Sequence, residues 1–208
     1  MPSSTKLLRP DNCALVLIDH QAGLAFGVQS IDRQVLLNNT VALANSAVAF
    51  DLPVVISTSA TKVYSGPLLP DVRAVFPDHP VIDRRSMNVF EDDAVFAAIQ
   101  ATGRKKLVFS GMLTEACIAF AVLSAQEAGY ESYVVADACG GLTDTGHDMA
   151  LRRMEAAGAA MTSWLQVVLE LQRDWTRQST YAAARAVIER NGGGYGIGLN
   201  YAREMLPK

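Results

Sequence analysis

The chain has 208 residues, half of them hydrophobic, and its 18 Lys and Arg against 21 Asp and Glu give a formal net charge of −3. This length suits one domain, or one domain with an appendage, and the apolar content excludes an intrinsically disordered chain. So small an acidic excess offers no electrostatic footprint for a nucleic acid or an anionic membrane.

Short apolar, β-branched runs alternate along the chain with longer helical patterns. Five runs predict strands, the last of them weaker than the others: Cys13–Ile18, 53–58, 106–111, 131–137 and 159–163. Four amphipathic stretches between them predict helices: 33–50, 93–102, 115–128 and 145–157. Runs that are apolar on both faces are typical of parallel strands covered by helices on both sides. The order predicts an α/β fold, a three-layer αβα sandwich with a mostly parallel sheet and Rossmann-like topology.

The C-terminal part of the sequence contains more helical segments than are needed to cover such a sheet. After the last strand we predict a helix over 165–173, a second helix over 181–190, and a glycine-rich run over 192–198. That run resembles a dinucleotide-binding fingerprint only superficially, because it follows a helix rather than a strand. We therefore predict a flexible C-terminal loop there. Residues 1–178 are predicted to form the main domain, and residues 179–208 a helix and tail that contact a neighbouring subunit.

Targeting and redox features point to the cytoplasm. The first twelve residues lack the apolar core of a signal peptide, and the longest apolar runs, of about eight residues, are far below the roughly 20 that a membrane span requires. Cys13, Cys117 and Cys139 are too few and too scattered for a disulfide framework, and no Cys/His cluster suggests zinc. We expect a cytoplasmic protein with free thiols.

Polar residues that end apolar strands are the first candidates for chemistry, since ligands of open α/β sheets bind beyond the carboxyl ends of the strands. Asp19 follows the first strand directly, in LVLIDHQAG. A carboxylate in that position is costly unless it is solvated or partnered. The alternative interpretation is a turn or a helix-capping aspartate, and the same choice applies to Asp137.

The segment SGMLTEACIAFA is the most informative in the chain. A strand ends at Gly111, and Thr114 with Glu115 opens a helix that places Cys117 in its first turn. Unpaired N–H groups at a helix start stabilise a thiolate, which predicts a lowered pKa for Cys117, and they can also hold an oxyanion. The alternative is a small buried cysteine without a chemical role.

These two segments and a third, VIDRRSMNVF at residues 81–90, resemble the three signature regions of isochorismatase-like cysteine hydrolases, and in particular of the YcaC-type subgroup. The resemblance covers nearly the whole domain. It implies a parallel sheet of about six strands between helices. It also implies a hydrolase without a cofactor, acting on a small-molecule substrate and binding neither nucleic acid nor membrane. A homo-oligomer is implied as well, and an octamer is the assembly that the resemblance suggests.

The family's catalytic triad consists of Asp, Lys and Cys. Asp19 and Cys117 match two of its positions. The resemblance also implies a cis peptide bond between Leu113 and Thr114, with backbone N–H groups of Leu113, Thr114 and Cys117 near the substrate oxygen. By resemblance and position we further expect the substrate to contact four side chains: those of His20, Asn88, Phe90 and Thr58.

The sequence differs from the family pattern at the position of the catalytic lysine. No lysine lies between Lys62 and Lys105. Arg84 is nearest to its place, as in the YcaC-type subgroup, although Arg85 is adjacent and either side chain could face Cys117. An arginine cannot transfer a proton, but it can keep Asp19 ionised and favour a thiolate.

Metal catalysis is not expected. Nicotinamidase relatives carry an Asp and two His after the second strand, whereas that loop here reads STSATK and holds no histidine. His79 and His147 lie in polar loop or helix contexts, which are more often surface positions than metal ligands. We therefore expect no metal site.

Two hypotheses for the function follow. The first is a cysteine hydrolase that cleaves a C–N bond of a small amide or related carbonyl compound through a thioester. The second is a catalytically silent, homo-oligomeric scaffold or binding protein, which the missing lysine favours. A third, a vinyl ether hydrolase without a nucleophile, is weakened by the presence of Cys117.

Overall fold

The computed structural model describes residues 6–206, which contain one six-stranded parallel sheet. Its strands are β1 (Cys13–Ile18), β2 (Val54–Ser59), β3 (Val81–Arg84), β4 (Lys106–Met112), β5 (Glu131–Gly140) and β6 (Ala160–Thr162). The spatial order is β3-β2-β1-β4-β5-β6, and every neighbouring pair is parallel. The strand order reverses at β1 and β4, so the crevice expected to bind a ligand opens at their carboxyl ends.

Helices cover both faces of the sheet. The α-helices of the described residues are α1 (Ala22–Ala25), α2 (Arg33–Ala49), α3 (Pro70–Val75), α4 (Asp93–Ala101), α5 (Ala119–Glu127), α6 (Asp144–Ala156), α7 (Trp164–Gln172), α8 (Gln178–Asn191) and α9 (Gly193–Met205). Two π-helical turns, Thr61–Ser65 and Thr114–Ile118, and a 3₁₀ turn, Val89–Glu91, lie in the connections at the carboxyl edge. The predicted three-layer αβα sandwich is confirmed.

Alternate strand residues build two cores. Leu15, Leu17 and Val108 face the layer of α2, α7 and α8. Val16 and Phe109 face the layer of α4, α5 and α6. Because β1 is buried on both faces, each of its side chains contributes to the free energy of folding. For a fully buried large aliphatic residue this contribution is about 1.5–3 kcal/mol. This two-sided burial explains why the central strands are continuous apolar runs.

Local capping explains where the predicted helices begin. The Asp32 carboxylate accepts the N–H groups of Gln34 and Val35 at the start of α2. Asp92, Thr143 and Ser163 cap α4, α6 and α7 in the same way. A cap of this kind stabilises a helix by about 1 kcal/mol. β3, in contrast, was not predicted as a strand, because this short edge strand is only partly buried.

The prediction of a flexible loop over the glycine run is wrong, because residues 193–205 form α9, which packs on α8. A Cβ added to Gly196 would lie 2.6 Å from the carbonyl oxygen of Ile188, so glycine is needed for this close approach. Arg185 Nη2 donates to the carbonyl of Leu199 at 3.0 Å across the pair. The tertiary contact outweighs the low helix propensity of glycine, which costs about 1 kcal/mol per residue.

Across residues 6–206, no helix combines the length and the apolar character needed to cross a bilayer.

Candidate active site

Three elements bring Asp19, Arg84 and Cys117 to the carboxyl edge of the sheet. Asp19 follows β1 with a φ of +57°, and its N–H donates to the carbonyl of Ser57 on β2. Arg84 is the last residue of β3, and Cys117 lies in the π-helical turn after β4. The sheet order places β1 between β2 and β4, so the aspartate sits between its two partners.

Asp19 and Arg84 form a bidentate ion pair. Nη1 of Arg84 lies 2.7 Å from Oδ1 of Asp19, and Nη2 lies 2.7 Å from Oδ2. Both side chains are fully buried. Arg84 also donates to Ser57 Oγ at 3.1 Å and to the carbonyl of Met87 at 3.0 Å. A buried charge pair is stable only with such geometry and additional hydrogen bonds, because desolvation of both ions is expensive.

The side chains of Arg84 and Arg85 lie in different environments. Successive strand residues point to opposite faces, and Arg84 turns to the face that carries Ser57, whereas the Arg85 side chain is exposed. Nε of Arg84 is buried and has no hydrogen-bond partner among residues 6–206. Of the two adjacent arginines, the one that contacts Asp19 is therefore Arg84.

Cys117 is 8% exposed, and the Asp19 carboxylate lies close enough to act on its thiol. Burial raises the pKa of this thiol to about 12; the negative charge of Asp19 acts in the same direction, and Arg84 partly opposes both. The prediction of a lowered pKa is therefore wrong. The backbone of Leu113 does lower the pKa of this thiol, but burial outweighs it.

The cis peptide bond lies between Met112 and Leu113, one bond before the predicted Leu113–Thr114 position. β4 continues to Met112, one residue beyond its predicted end, so the chain leaves the strand at this bond. Leu113 is then extended and its carbonyl accepts the first N–H groups of the turn. Thr114 is fully buried behind it.

Two of the predicted substrate contacts, Thr58 and His20, bond to other side chains. Thr58 donates to Asp83 Oδ1 at 3.1 Å on the sheet face opposite to Arg84. His20 is fully buried, with Nε2 3.0 Å from Ser110 Oγ, and burial lowers its pKa to about 4. His20 is therefore neutral near pH 7.

The other two predicted contacts have structural partners. Asn88 caps the 3₁₀ turn, donates to Ser124 Oγ at 2.9 Å and accepts the N–H of Phe90. The Phe90 ring packs 5.5 Å from that of Phe96 and 6.0 Å from that of Tyr130. A role of these residues in substrate binding stays a prediction.

Sequence reasoning missed Ser57 and Gln21. Ser57 is a polar residue inside an apolar strand and was therefore detectable, but its bond to Arg84 depends on the sheet order. Gln21 is fully buried; its side-chain amide donates to the carbonyls of Ser59 and Gly66 and accepts the N–H of Ser59. It fixes the loop after β2 to the end of β1, a contact that no local pattern indicates.

Between residues 6 and 206, no three His, Cys, Asp or Glu side chains are grouped so that they could hold an ion. The charge that faces Asp19 is the guanidinium of Arg84.

A family model described as "Isochorismatase domain" matches residues 13–166. The chain belongs to the isochorismatase family. It is 40% identical to "Probable hydrolase YcaC" of Escherichia coli strain K12 over 169 residues, 81% of each chain. The family and the YcaC-type subgroup predicted from three segments are thus confirmed, and the relatives support a hydrolase as the enzyme class.

Solved structures agree over nearly the whole chain. YcaC from Pseudomonas aeruginosa, determined with hexane-2,5-diol and covalent acrylamide, is 34% identical with a TM-score of 0.90, covering 96% of this chain and 98% of that one. The Escherichia coli YcaC gene product, described as an octameric hydrolase of unknown specificity, is 35% identical with a TM-score of 0.92, covering 99% and 100%.

Proposed function

We propose that this protein is a cysteine hydrolase that cleaves a C–N bond of a small amide or related carbonyl compound through a thioester on Cys117. The observation that carries the proposal is the buried arrangement in which Arg84 holds Asp19 by two hydrogen bonds and the Asp19 carboxylate acts on the Cys117 thiol. A nucleophile, a base and a group that orients the base are the minimum for acyl transfer.

The raised thiol pKa determines how the nucleophile works. With a pKa of about 12, Cys117 rests as a neutral thiol at pH 7. Asp19 therefore takes the thiol proton as the sulfur attacks the substrate carbonyl, which is general base catalysis rather than attack by a preformed thiolate. Arg84 orients Asp19 with two hydrogen bonds and, as an arginine, takes no part in the proton transfer.

The rest of the cycle follows from the same groups. Asp19 returns the proton to the leaving amine as the C–N bond breaks, and the acyl group stays on Cys117 as a thioester. Asp19 then deprotonates a water that hydrolyses the thioester, and the thiol is regenerated. Backbone N–H groups of the turn over Leu113, Thr114 and Cys117 hold the oxyanion in both tetrahedral intermediates.

The covalent acrylamide in the Pseudomonas aeruginosa relative supports a reactive thiol as the nucleophile, because acrylamide is an electrophile to which thiols add at the β-carbon. The test is a screen of small amides and carbamoyl compounds, followed by intact mass measurement of any acyl adduct. We expect turnover and adduct in the wild type, neither in Cys117→Ala, and both in Cys139→Ala, where a fully buried cysteine is lost instead. Turnover that persists in Cys117→Ala would overturn the mechanism.

A silent scaffold is the second candidate, and two observations favour it. An arginine occupies the place of the family's lysine, and burial keeps the thiol of Cys117 protonated. The same screen separates the two candidates. If no amide gives product or adduct while a bound compound raises the melting temperature, the protein binds without turnover.

We also propose that the protein self-associates through its C-terminal helices, as the Escherichia coli relative is described as octameric. Ile197, Tyr201 and Met205 form an exposed stripe at i, i+4 and i+8 along α9. A large exposed apolar stripe is typical of an interface. Light scattering should show an assembly larger than one chain for the wild type and a smaller one for the double variant Ile197→Asp, Tyr201→Asp. An unchanged mass would place the contact elsewhere.

A further inference from the structure

A side-chain contact outside the Asp19–Arg84–Cys117 set joins the catalytic turn to α6. Oγ1 of the fully buried Thr114 lies 2.9 Å from Nδ1 of His147. The sequence pattern favoured a surface position for His147, but the side chain is half-buried against the turn. Thr114 lies one residue after the Met112–Leu113 cis peptide and three residues before Cys117. His147 therefore touches the turn that carries the nucleophile.

The surroundings of His147 favour its neutral form. Burial lowers its pKa, although the carboxylates of Asp148, Glu115 and Asp144 act in the opposite direction. A neutral imidazole can accept the Thr114 hydroxyl proton at Nδ1 while Nε2 keeps its own proton. The Thr114 side chain is then held in one orientation by one directional bond.

Glu115 attaches the same turn to the same segment. Its Oε1 accepts the N–H of Leu142 at 2.8 Å. A Cβ on Gly146 would lie 2.8 Å from Oε1, and one on Gly141 3.0 Å from Oε2, so the two glycines leave the space that Glu115 fills. Two successive residues of the turn are thus fixed to residues 141–147. The orientation of the turn depends on that segment as well as on β4.

We propose that His147 is a positioning residue for the reaction. Through the Thr114 hydroxyl it holds the backbone of the turn so that its N–H groups face the substrate oxygen while the Cys117 sulfur stays against Asp19. The proposal rests on the proposed function, because it assigns His147 to the same site. Removal of the contact should weaken stabilisation of charge on that oxygen more than it changes access to the sulfur.

Two thiol reagents separate these effects. Acrylamide adds the Cys117 sulfur to its β-carbon; the alkene electron pair moves toward the amide oxygen, and the thiol proton reaches the α-carbon through Asp19. Negative charge therefore develops on an oxygen in the transition state. Methyl methanethiosulfonate forms a disulfide with the same sulfur and releases methanesulfinate, with no carbonyl oxygen involved.

We expect His147→Ala and Thr114→Val to slow acrylamide addition to Cys117 about tenfold, a factor that corresponds to about 1.4 kcal/mol and lies within the net worth of one hydrogen bond. Their reaction with methyl methanethiosulfonate should change less than about twofold by the same argument. The double variant should be no slower than either single one, because both remove the same bond.

Conservative variants guard against simple misfolding. His147→Asn can place an amide where Nδ1 lies, and Thr114→Ser keeps the hydroxyl, so both should recover most of the acrylamide rate. His79→Ala is the matched control, because His79 bonds the carbonyl of Val54, at the start of β2. It should behave like the wild type with both reagents.

Specific results would overturn the proposal. If His147→Ala slows both reagents equally, its role is structural; if it slows neither, His147 does not position the turn. Asp19→Asn distinguishes failure of the proposed function: it should slow acrylamide addition whatever His147 does. If acrylamide labels Cys117 equally fast in the wild type and in Asp19→Asn, Asp19 is not the general base. If acrylamide does not label Cys117 in the wild type at all, both proposals are refuted.

Discussion

The replacement of Arg84 by methionine tests the centre of the proposed site. Asp19 is fully buried and receives two 2.7 Å hydrogen bonds from this one side chain. Methionine has a similar length but leaves the carboxylate without a counter-ion. The loss of one partner of a buried pair costs about 3–5 kcal/mol, because an uncompensated charge stays in the interior.

That cost can be read from a thermal melt. For a domain of about this size, each kcal/mol shifts the melting temperature by about 2–4 °C, so Arg84→Met should melt about 6–20 °C below the wild type. Arg84→Lys keeps a positive charge but cannot make both parallel bonds, and it should melt between the two. Arg85→Met is the matched control, since Arg85 is exposed and such surface changes stay within about 0.5 kcal/mol.

Alkylation of Cys117 gives a second measurement. Arg84 opposes the factors that raise the thiol pKa to about 12, so its removal should raise that pKa further. A change of about 1 kcal/mol corresponds to about 0.7 pKa units and therefore to about fivefold slower iodoacetamide labelling at a given pH. Labelling should still reach Cys117 before Cys13 and Cys139, which are fully buried.

The reasoning would be refuted by an Arg84→Met variant that melts and labels like the wild type, since the buried ion pair would then carry no net coupling. A large effect of Arg85→Met together with no effect of Arg84→Met would show that Arg85, and not Arg84, contacts Asp19. Destabilisation without any change in the pH dependence of labelling would leave Arg84 a structural role only.

Three further outcomes are expected. Burial lowers the pKa of His20 from its ordinary 6.5 to about 4. As the pH falls, His20 is therefore protonated in the unfolded chain before it is protonated in the folded protein. The free energy of unfolding should therefore fall by about 3 kcal/mol as the pH drops through that window, and His20→Gln should flatten the dependence in denaturant titrations. Gly196→Ala should lower the melting temperature because its Cβ would meet the Ile188 carbonyl, whereas Gly198→Ala, with open space around it, should be neutral or stabilising; equal effects would contradict the packing of α9 on α8. Exhaustive chelation should leave any amidase activity unchanged, and recovery of a lost activity by one added divalent metal would contradict this.

Much of the fold could be predicted because its signals are local. A strand buried on both faces must be a continuous apolar run, which identified β1, β2, β4 and β5, and amphipathic periodicity identified the helices between them. Asp19 and Cys117 were also found locally, since each follows the end of a predicted strand. β3 had no such run because it lies at the edge of the sheet.

Other features depend on neighbours that are distant in the sequence. The alternation within β3 turns Arg84 toward Asp19, and the order of the sheet brings the Ser57 hydroxyl to the same guanidinium. The thiol pKa of Cys117 also follows from tertiary structure, because burial and the Asp19 carboxylate outweigh its place at the start of a helix.

The sequence by itself therefore determined the layer architecture, the family and the two residues Asp19 and Cys117, because apolar periodicity and strand ends are properties of short segments. Only the tertiary structure decided the partner of Asp19, the protonation of the thiol, the helical form of the glycine-rich segment and the contact of His147 with Thr114. Each of these depends on desolvation or on a close approach between segments, and both arise only when the sheet and its helices are assembled.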